Sequence, residues 1–287
     1  QGKMQAHYTP DNIHILRPVA DHFMRNGLEV TVRRTRHQGT NQLPTLVGNL
    51  FEYLRQKGVT FQAGATMADL IMDEERCQGI ELKQGEHIHA ENTIVAVGRK
   101  GATTLIPKLM EKYAIEAVSR DILVGGRAVF PKHITNEIAK QIYEFIFKYT
   151  TNEGRTFRNF CPCHRGGAVA VENYQGYFCV NGAADSTYEA FAANSALMLG
   201  VREQDVGNTY IYGDKLAKKT NQYGNNRPIV QRIKDIIKRR PTTSLEDIDI
   251  RLLEALPFEY TLGDIRQAYD DFVFEDYRES LLAIDKP

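Results

Sequence analysis

The most informative segment of the sequence is residues 93–101, which read TIVAVGRKG. The first five residues, 93–97, are apolar at nearly every position, as is typical of a strand that is covered on both faces in a parallel sheet. Gly98 follows at once, and a glycine there lets the backbone turn sharply and approach a ligand closely. The segment therefore predicts an inner strand that leads into a ligand-binding loop, and a plain strand-to-helix turn is the alternative.

The residues before this segment repeat a helix-to-strand order. Apolar residues at helical spacing predict helices over 13–26 and 43–54, and Gly27 and Gly58 act as C-terminal stops. Short apolar runs separated by polar turns predict five strands before the segment, at 28–32, 59–61, 67–72, 79–83 and 87–90. This order is that of half a dinucleotide-binding domain. We therefore predict an α/β fold over residues 1–101, Rossmann-like and with a β-meander.

A glycine-rich phosphate loop is missing from this predicted domain. No G-x-G-x-x-G follows a strand anywhere in the sequence, although such a loop places backbone N–H groups against a pyrophosphate. The chain also begins with Gln1 and has no recognisable start signal. We therefore expect a fragment of a longer protein, with part of any dinucleotide site lying outside it.

The pattern changes after Gly101, where we place a domain boundary. Residues 102–287 are predicted to form a mixed α+β domain that ends in helices. Its predicted strands lie at 121–130, 168–172 and 176–180, and its predicted helices at 103–118, 134–147, 229–239, 245–256 and 262–272. The stretch 205–228 is rich in Asn, Gly, Lys and Tyr and favours an irregular surface segment.

Composition excludes several classes of partner. Lys plus Arg and Asp plus Glu both number 36, so the formal net charge is zero. A chain without net positive charge has no overall field to attract nucleic acid or an anionic membrane, so a small neutral or zwitterionic ligand fits better. With four cysteines and no signal peptide in 287 residues, we expect reduced thiols and a cytoplasmic protein.

One motif combines thiols with a histidine. Residues 160–164 read FCPCH, and Cys179 is a conceivable fourth metal ligand, but the usual second ligand pair is absent and we expect no metal. A redox or catalytic thiol and simple structural packing remain open, and packing is favoured. Arg158 and Arg165 flank this predicted loop and could present cations to a carboxylate, with ordinary surface charge as the alternative.

Several short segments occur together in one order. They are GTNQL (39–43), GVTF (58–61), MADL (67–70), GIEL (79–82), AVGRKG (96–101), GGRAVFP (125–131), RNFC (158–161), GG (166–167), VNG (180–182) and AANSAL (192–197). In this order the chain resembles the poorly characterised FAD-dependent dehydrogenases of the glutathione-reductase-like flavoprotein superfamily. Two positions depart from the family pattern: Phe130 stands where a carboxylate is usual, and Asn159 where threonine is usual.

The resemblance implies an FAD cofactor and assigns candidate contacts to it. Met67 would offer backbone contacts near the adenine. The loop residues Val97, Gly98, Arg99 and Gly101 would bind the cofactor, with Gly98 and Arg99 beside the pyrophosphate or the flavin ring. Because the phosphate loop is missing, we expect this chain alone to retain little FAD.

The resemblance also implies a function. The chain would be one portion of an FAD-dependent oxidoreductase that transfers hydride between a small organic substrate and FAD. It would supply one wall of the flavin site and the substrate side, where Arg158, Cys161, Cys163 and Arg165 are the candidate catalytic residues. The alternative is a non-catalytic binding or interaction module that kept the fold without the cofactor.

Overall fold

A computed structural model describes residues 7–8, 14, 17–32, 36–37, 39–118, 120–142, 144–164, 166–174, 176–184 and 190–285. The contacts divide the chain into two compact units. The first unit joins Gln1–Pro44 to Ser119–Pro287, and the second is Thr45–Val118. The domain boundary that we placed at Gly101 stays a prediction. No helix in the described ranges is long and apolar enough to cross a membrane.

The described part of the chain contains both strands and helices, and β4–β6 and β8–β12 follow one another without an intervening helix. The strands are β1 His7–Tyr8, β2 Glu29–Val32, β3 Arg36–His37, β4 Met67–Asp73, β5 Arg76–Leu82, β6 His87–His89, β7 Ile122–Pro131, β8 Phe145–Thr150, β9 Thr156–Cys163, β10 Gly167–Tyr174, β11 Tyr177–Ala184, β12 Ala192–Val201, β13 Ile229–Val230 and β14 Thr261–Leu262. The helices are α1 Arg17–Arg25, α2 Leu43–Gln56, α3 Gly98–Lys112, α4 Asn136–Gln141, α5 Glu203–Val206, α6 Thr209–Tyr223, α7 Ile233–Ile237, α8 Ile250–Leu253 and α9 Asp271–Ile284.

The first unit is built on a five-stranded sheet in the order β2-β8-β9-β12-β7. Every neighbouring pair in it is antiparallel, and β7 and β12 pair over their full length. The residues of β12 alternate between buried and half-buried along its second half, as expected for a strand with one face on a core. A separate hairpin, β10 with β11, belongs to the same unit.

Helix α9 supplies the other side of the core. Val273, Phe274, Tyr277 and Leu281 follow helical spacing and are all buried. They lie in one cluster with sheet residues Val124, Phe157, Leu197, Leu199 and Val201. The hydroxyl of Tyr277 donates to the Leu197 carbonyl at 3.3 Å, so the buried polar group is satisfied.

The second unit contains the predicted β-meander. Strands β4, β5 and β6 form a three-stranded antiparallel sheet. The end of α3 is attached to β4, because the Tyr113 hydroxyl donates to Asp69 Oδ1 at 2.9 Å and Lys112 forms an ion pair with the same carboxylate. That ion pair and the Tyr113 hydrogen bond hold the pKa of Asp69 below its usual value, although burial opposes the shift.

The inner strand predicted at residues 93–97 is absent. Residues 93–97 have no strand assignment, no described strand pairs with them, and Ile94 is 91% exposed. An inner parallel strand needs a neighbour on each side, and the described residues provide none. The strand predicted at 59–61 is also absent. The first predicted helix is confirmed only from Arg17, because residues 13, 15 and 16 lie outside the described residues.

Several predictions in the C-terminal part were wrong. The helix predicted over 262–272 is absent, because Thr261–Leu262 is strand β14 and helix α9 begins only at Asp271. The helix predicted over 134–147 stops at Gln141, and Phe145–Thr150 is strand β8, as its alternating aromatic and β-branched residues allow. The stretch predicted to be irregular contains helix α6, which begins where the Asn208 side chain accepts a hydrogen bond from the Ile211 N–H. Strands β9 and β12 were not predicted. Residues 160–163 of the FCPCH motif lie on β9 and not on a loop, and His164 follows the strand.

Candidate functional site

A bulge at Cys161 shapes the candidate site in the first unit. On β12 there are two steps from Asn194 to Ala196, whereas their partners on β9, Cys163 and Phe160, are three steps apart. The additional residue on β9 is accommodated at Cys161, whose φ of 41° is unusual for a residue with a side chain. The Cys161 side chain is exposed at this bulge, whereas Cys163 is buried.

Arg127 of β7 forms hydrogen bonds to the bulge on β9 and to Asn194 on β12. Its Nε donates to Asn194 Oδ1 at 2.6 Å, and its Nη2 donates to the Cys161 carbonyl at 2.5 Å and lies 3.5 Å from Cys163 Sγ. The guanidinium also lies against the backbone of Gly182, where a Cβ would be 1.9 Å from Nη2. We call Arg127, Cys161, Cys163 and Asn194 the Arg127 cluster.

The cluster sets the chemistry of its buried thiol. Burial raises the pKa of Cys163, and the charge and hydrogen bond of Arg127 lower it in part. The neutral thiol is therefore the resting form of Cys163 at neutral pH. Asn194 is completely buried and its amide donates to the Gly167 carbonyl at 2.9 Å, which fixes the position of the cluster against the β10–β11 hairpin.

His164 is buried beside the cluster but faces other partners. Its ring stacks on Phe145 with 5.0 Å between centroids, and its Nδ1 lies 3.1 Å from the Thr135 hydroxyl. Its Nε2 has no hydrogen-bond partner in the described part of the chain. Burial lowers the pKa of His164 to about 4, so the ring is neutral at physiological pH.

Of the two predicted substrate-side arginines, the structure describes only Arg158. Arg158 is half-buried on β9, and its guanidinium lies 3.6 Å from the centroid of the Phe160 ring, which is a cation–π contact. Arg165 lies outside the described residues. Of the four predicted substrate-side residues, the structure therefore brings Cys161 and Cys163 together. Among the described residues, no group of three or more His, Cys, Asp or Glu side chains could hold a metal ion.

The predicted cofactor residues all belong to the second unit. Helix α3 begins at Gly98, which has a φ of 62°, and its N-cap residue Val97 makes no side-chain capping bond. The first turn carries Arg99 and no acidic residue, and a helix N-terminus of this kind favours an anion. These residues fit the pyrophosphate part of FAD. Met67 is half-buried at the start of β4.

The requirement for glycine at position 101 comes from its contact with Val97. A Cβ at this position would lie 2.2 Å from the Cγ2 atom of Val97. In contrast, a Cβ at Gly98 would meet nothing within 4 Å. The glycine at 101 is therefore required by packing inside the turn, whereas the glycine at 98 is required by its positive φ.

Comparison with known proteins shows the protein family to which the chain belongs. Residues 125–287 match the family model for the C-terminal domain-like region of FAD-dependent proteins, and residues 4–129 match a model for an FAD-binding domain. The chain belongs to this family of FAD-dependent proteins, and the predicted FAD cofactor is confirmed by that resemblance.

A curated relative extends the comparison beyond this chain. The chain is similar to an uncharacterised protein of Clostridium beijerinckii, with 22% identity over 288 residues. The similarity covers 93% of this chain and 52% of the relative. The chain thus spans about half the length of the curated relative that it matches.

The sequence did not predict the roles of three residues of the site, which are Arg127, Asn194 and His164. Arg127 stood inside the segment GGRAVFP that carries the family resemblance, so a signal for it existed. Asn194 likewise stood in AANSAL, but it lies on β12, which was not predicted, and its side-chain partners are Arg127 of β7 and Gly167 of β10. His164 was considered only as a metal ligand, and nothing in the sequence indicates its stacking on Phe145.

Proposed function

We propose that the chain is a portion of an FAD-dependent oxidoreductase of the glutathione-reductase-like flavoprotein superfamily. The complete protein transfers hydride between a small organic substrate and FAD. The observation that carries this proposal is the order of the two family matches. A match to an FAD-binding domain ends at residue 129, and the match to the FAD-dependent C-terminal domain begins at residue 125.

In this proposal, residues 1–101 contribute to a Rossmann-like FAD-binding domain. Gly98 leaves the backbone open at the start of α3, and Arg99 adds positive charge beside the pyrophosphate. Met67, Val97 and Gly101 complete the cofactor-binding set, with Met67 near the adenine. FAD itself supplies the hydride chemistry, and these residues bind and orient it.

Residues 102–287 form the substrate-side domain. Arg158 and Arg165 supply positive charge for an anionic group of the substrate, and Cys161 presents an exposed thiol. Cys163 keeps a neutral thiol beneath it. Arg127 is a positioning residue, because it holds the Cys161 carbonyl and not a reacting atom.

The remainder of the FAD-binding domain comes from another part of the complete protein. Two features support this: the chain covers 52% of its relative, and the second unit exposes large apolar side chains. These include Leu46, Val47, Leu50, Phe51, Val59, Phe61 and Ile94. The chain alone therefore binds FAD weakly.

The cofactor contact can be tested with two glycine variants of the complete protein. Gly98→Asp places a carboxylate beside the proposed pyrophosphate, and we expect the purified variant to lose most of its FAD. Gly85→Asp is the matched control, because Gly85 also has a positive φ of 85° and open space for a Cβ, but lies in a turn of the meander. The control should retain FAD. Equal FAD content in the two folded variants would contradict the assignment.

The transfer of hydride needs its own test. We expect the flavin of the complete protein to be bleached under anaerobic conditions by a hydride donor, with nicotinamide dinucleotides as the first donors to try. A complete, folded protein without flavin would favour the alternative of an interaction module.

A further inference from the structure

We propose that Cys161 and Cys163 form a dithiol–disulfide couple, in which a peroxide oxidises Cys161 and Cys163 then closes the disulfide. The couple belongs to this chain alone and does not depend on the proposed flavin chemistry. It also differs from a packing role, in which neither thiol would change its covalent state.

The two thiols have the unequal access that such a couple needs. Cys161 is exposed, and Cys163 is only 5% exposed. A soluble oxidant therefore meets Cys161 first. Cys163 Sγ already lies 3.9 Å from the carbonyl oxygen of Cys161, so the second sulfur is held against the backbone of the first.

The bulge allows the exposed thiol to move without breaking the sheet. Neither Cys161 nor Pro162 pairs with a residue of β12, whereas Phe160 and Cys163 on either side are both paired. A rotation of the Cys161 side chain, with a small change at the bulge, therefore leaves the β9–β12 ladder intact. The left-handed conformation of Cys161 is unfavourable for a residue with a side chain, and the surrounding structure must outweigh that cost.

Arg127 favours the second step. Its Nη2 bonds the Cys161 carbonyl at 2.5 Å and lies 3.5 Å from Cys163 Sγ. A guanidinium at that distance stabilises negative charge on the sulfur as the Cys163 thiol loses its proton. The same side chain therefore holds the bulge and assists the thiol that closes the disulfide.

The oxidation of the two thiols by a peroxide takes two steps. The Cys161 thiol attacks one oxygen of a peroxide ROOH, which gives a sulfenic acid at Cys161 and releases the alcohol ROH. The Cys163 thiol then attacks the sulfenic sulfur, and water leaves as the Cys161–Cys163 disulfide forms. The two thiols together lose two electrons and two protons, and the peroxide is reduced to ROH and water.

The sequence allows a direct test on the unmodified chain. Trypsin cleaves after Arg158 and Arg165, so peptide 159–165 contains Cys161 and Cys163 and no other cysteine. Cys179 lies in the separate peptide 166–202 and serves as an exposed reference thiol. The folded protein is treated with hydrogen peroxide, alkylated under denaturing conditions, digested and analysed by mass spectrometry.

We expect peptide 159–165 to lose both alkylatable thiols together and to become lighter than the reduced peptide by two hydrogen atoms. Cys163→Ala should instead leave a sulfenic acid at Cys161 that dimedone captures. Cys179→Ser should behave as the unmodified chain. The proposal is overturned if Cys161 is oxidised while Cys163 stays alkylatable in the unmodified chain, or if Cys179 is oxidised and peptide 159–165 is not.

Discussion

Asn159 shows how one side chain can replace part of a sheet. Its Oδ1 accepts a hydrogen bond from the Phe147 N–H at 2.9 Å, and its Nδ2 donates to the Phe145 carbonyl at 3.0 Å. Backbone pairing between β8 and β9 covers only Lys148–Thr150 on β8, so the amide continues the connection. The sequence marked Asn159 only as a departure from the family pattern. Its role could not be predicted, because the sequence predicts a helix as far as residue 147, which covers the first half of β8.

Replacing this amide should be costly. In Asn159→Leu the Phe147 N–H and the Phe145 carbonyl lose their partner, and each unsatisfied buried group costs about 1–3 kcal/mol. We therefore expect the free energy of unfolding, measured with urea, to fall by about 2–4 kcal/mol. Asn152→Leu in the exposed turn is the control and should change it by less than about 0.5 kcal/mol. Similar losses in both variants would refute the role of Asn159.

His164 should make stability depend on pH. The folded protein holds the ring neutral with a pKa of about 4, against 6.5 in the unfolded chain. Because the unfolded state binds the proton more readily, stability is fully present above pH 6.5 and falls as the pH drops toward 4. The loss is at most about 3 kcal/mol.

The matching variants isolate this effect. His164→Phe should remove that part of the pH dependence from urea unfolding curves, whereas His133→Phe, at an exposed position, should retain it. An unchanged slope in His164→Phe would show that another group is responsible.

At the level of strands, the local pattern predicted the strands that pair across tight turns, and also β2 and β7, whose partners are distant in sequence. The β10–β11 hairpin and the β4–β5–β6 meander join neighbours in sequence, and both were predicted from alternation and turn residues. Strands β8, β9 and β12 were missed: each has at least one partner distant in sequence, and β9 carries a bulge that breaks the alternation. Residues 93–97 show the opposite error, because an apolar run forms a strand only if partners are present.

Two adjacent glycines of β7 give a sharp test of the β7–β12 pair. A Cβ at Gly125 would lie 2.0 Å from the Leu197 carbonyl oxygen, whereas a Cβ at Gly126 would meet only the Tyr277 hydroxyl at 3.6 Å. Gly125→Ala should therefore lower the free energy of unfolding by about 1–3 kcal/mol or more, as overpacking against backbone does. Gly126→Ala should be neutral or stabilising by up to about 1 kcal/mol. Thermal unfolding of both variants measures this, and the reverse order would contradict the described register.

At the scale of the whole first unit, one buried ion network joins distant parts of the chain. Arg155, after the β8–β9 turn, bonds Asp276 of α9 at 2.7 Å and Asp205 of α5 at 3.0 Å. Hydrogen bonds from Arg202 and Arg155 hold the pKa of Asp205 well below its usual value. The network therefore connects the β8–β9 turn to two helices, and its stabilisation by Asp205 is lost as the pH falls into the acid range.

Removing the central cation should destabilise the unit strongly. Arg155→Met leaves the buried Asp276 without its cation and Asp205 with Arg202 alone, and we expect a loss of about 3–5 kcal/mol in the free energy of unfolding. Lys218→Met is the control, since Lys218 pairs with Asp214 at an exposed position four residues earlier on α6 and should lose less than about 1 kcal/mol. Chemical denaturation of both variants decides between them, and a small loss in Arg155→Met would mean that the network adds little.

The class of the whole molecule was more predictable than its architecture. Ordered short segments such as AVGRKG and GGRAVFP resemble the FAD-dependent family, and the family matches confirm that level. The Arg127 cluster needed the pairing of β7, β9 and β12, and no pattern within one segment carries that information.

The most direct measurement is the flavin content of the complete protein. The protein that contains this chain is purified under native conditions and denatured, and the released cofactor is identified by chromatography and quantified. Our account predicts FAD at about one molecule per chain, consistent with one FAD-binding domain. A folded, complete protein that releases no flavin, or releases a different one, would contradict it.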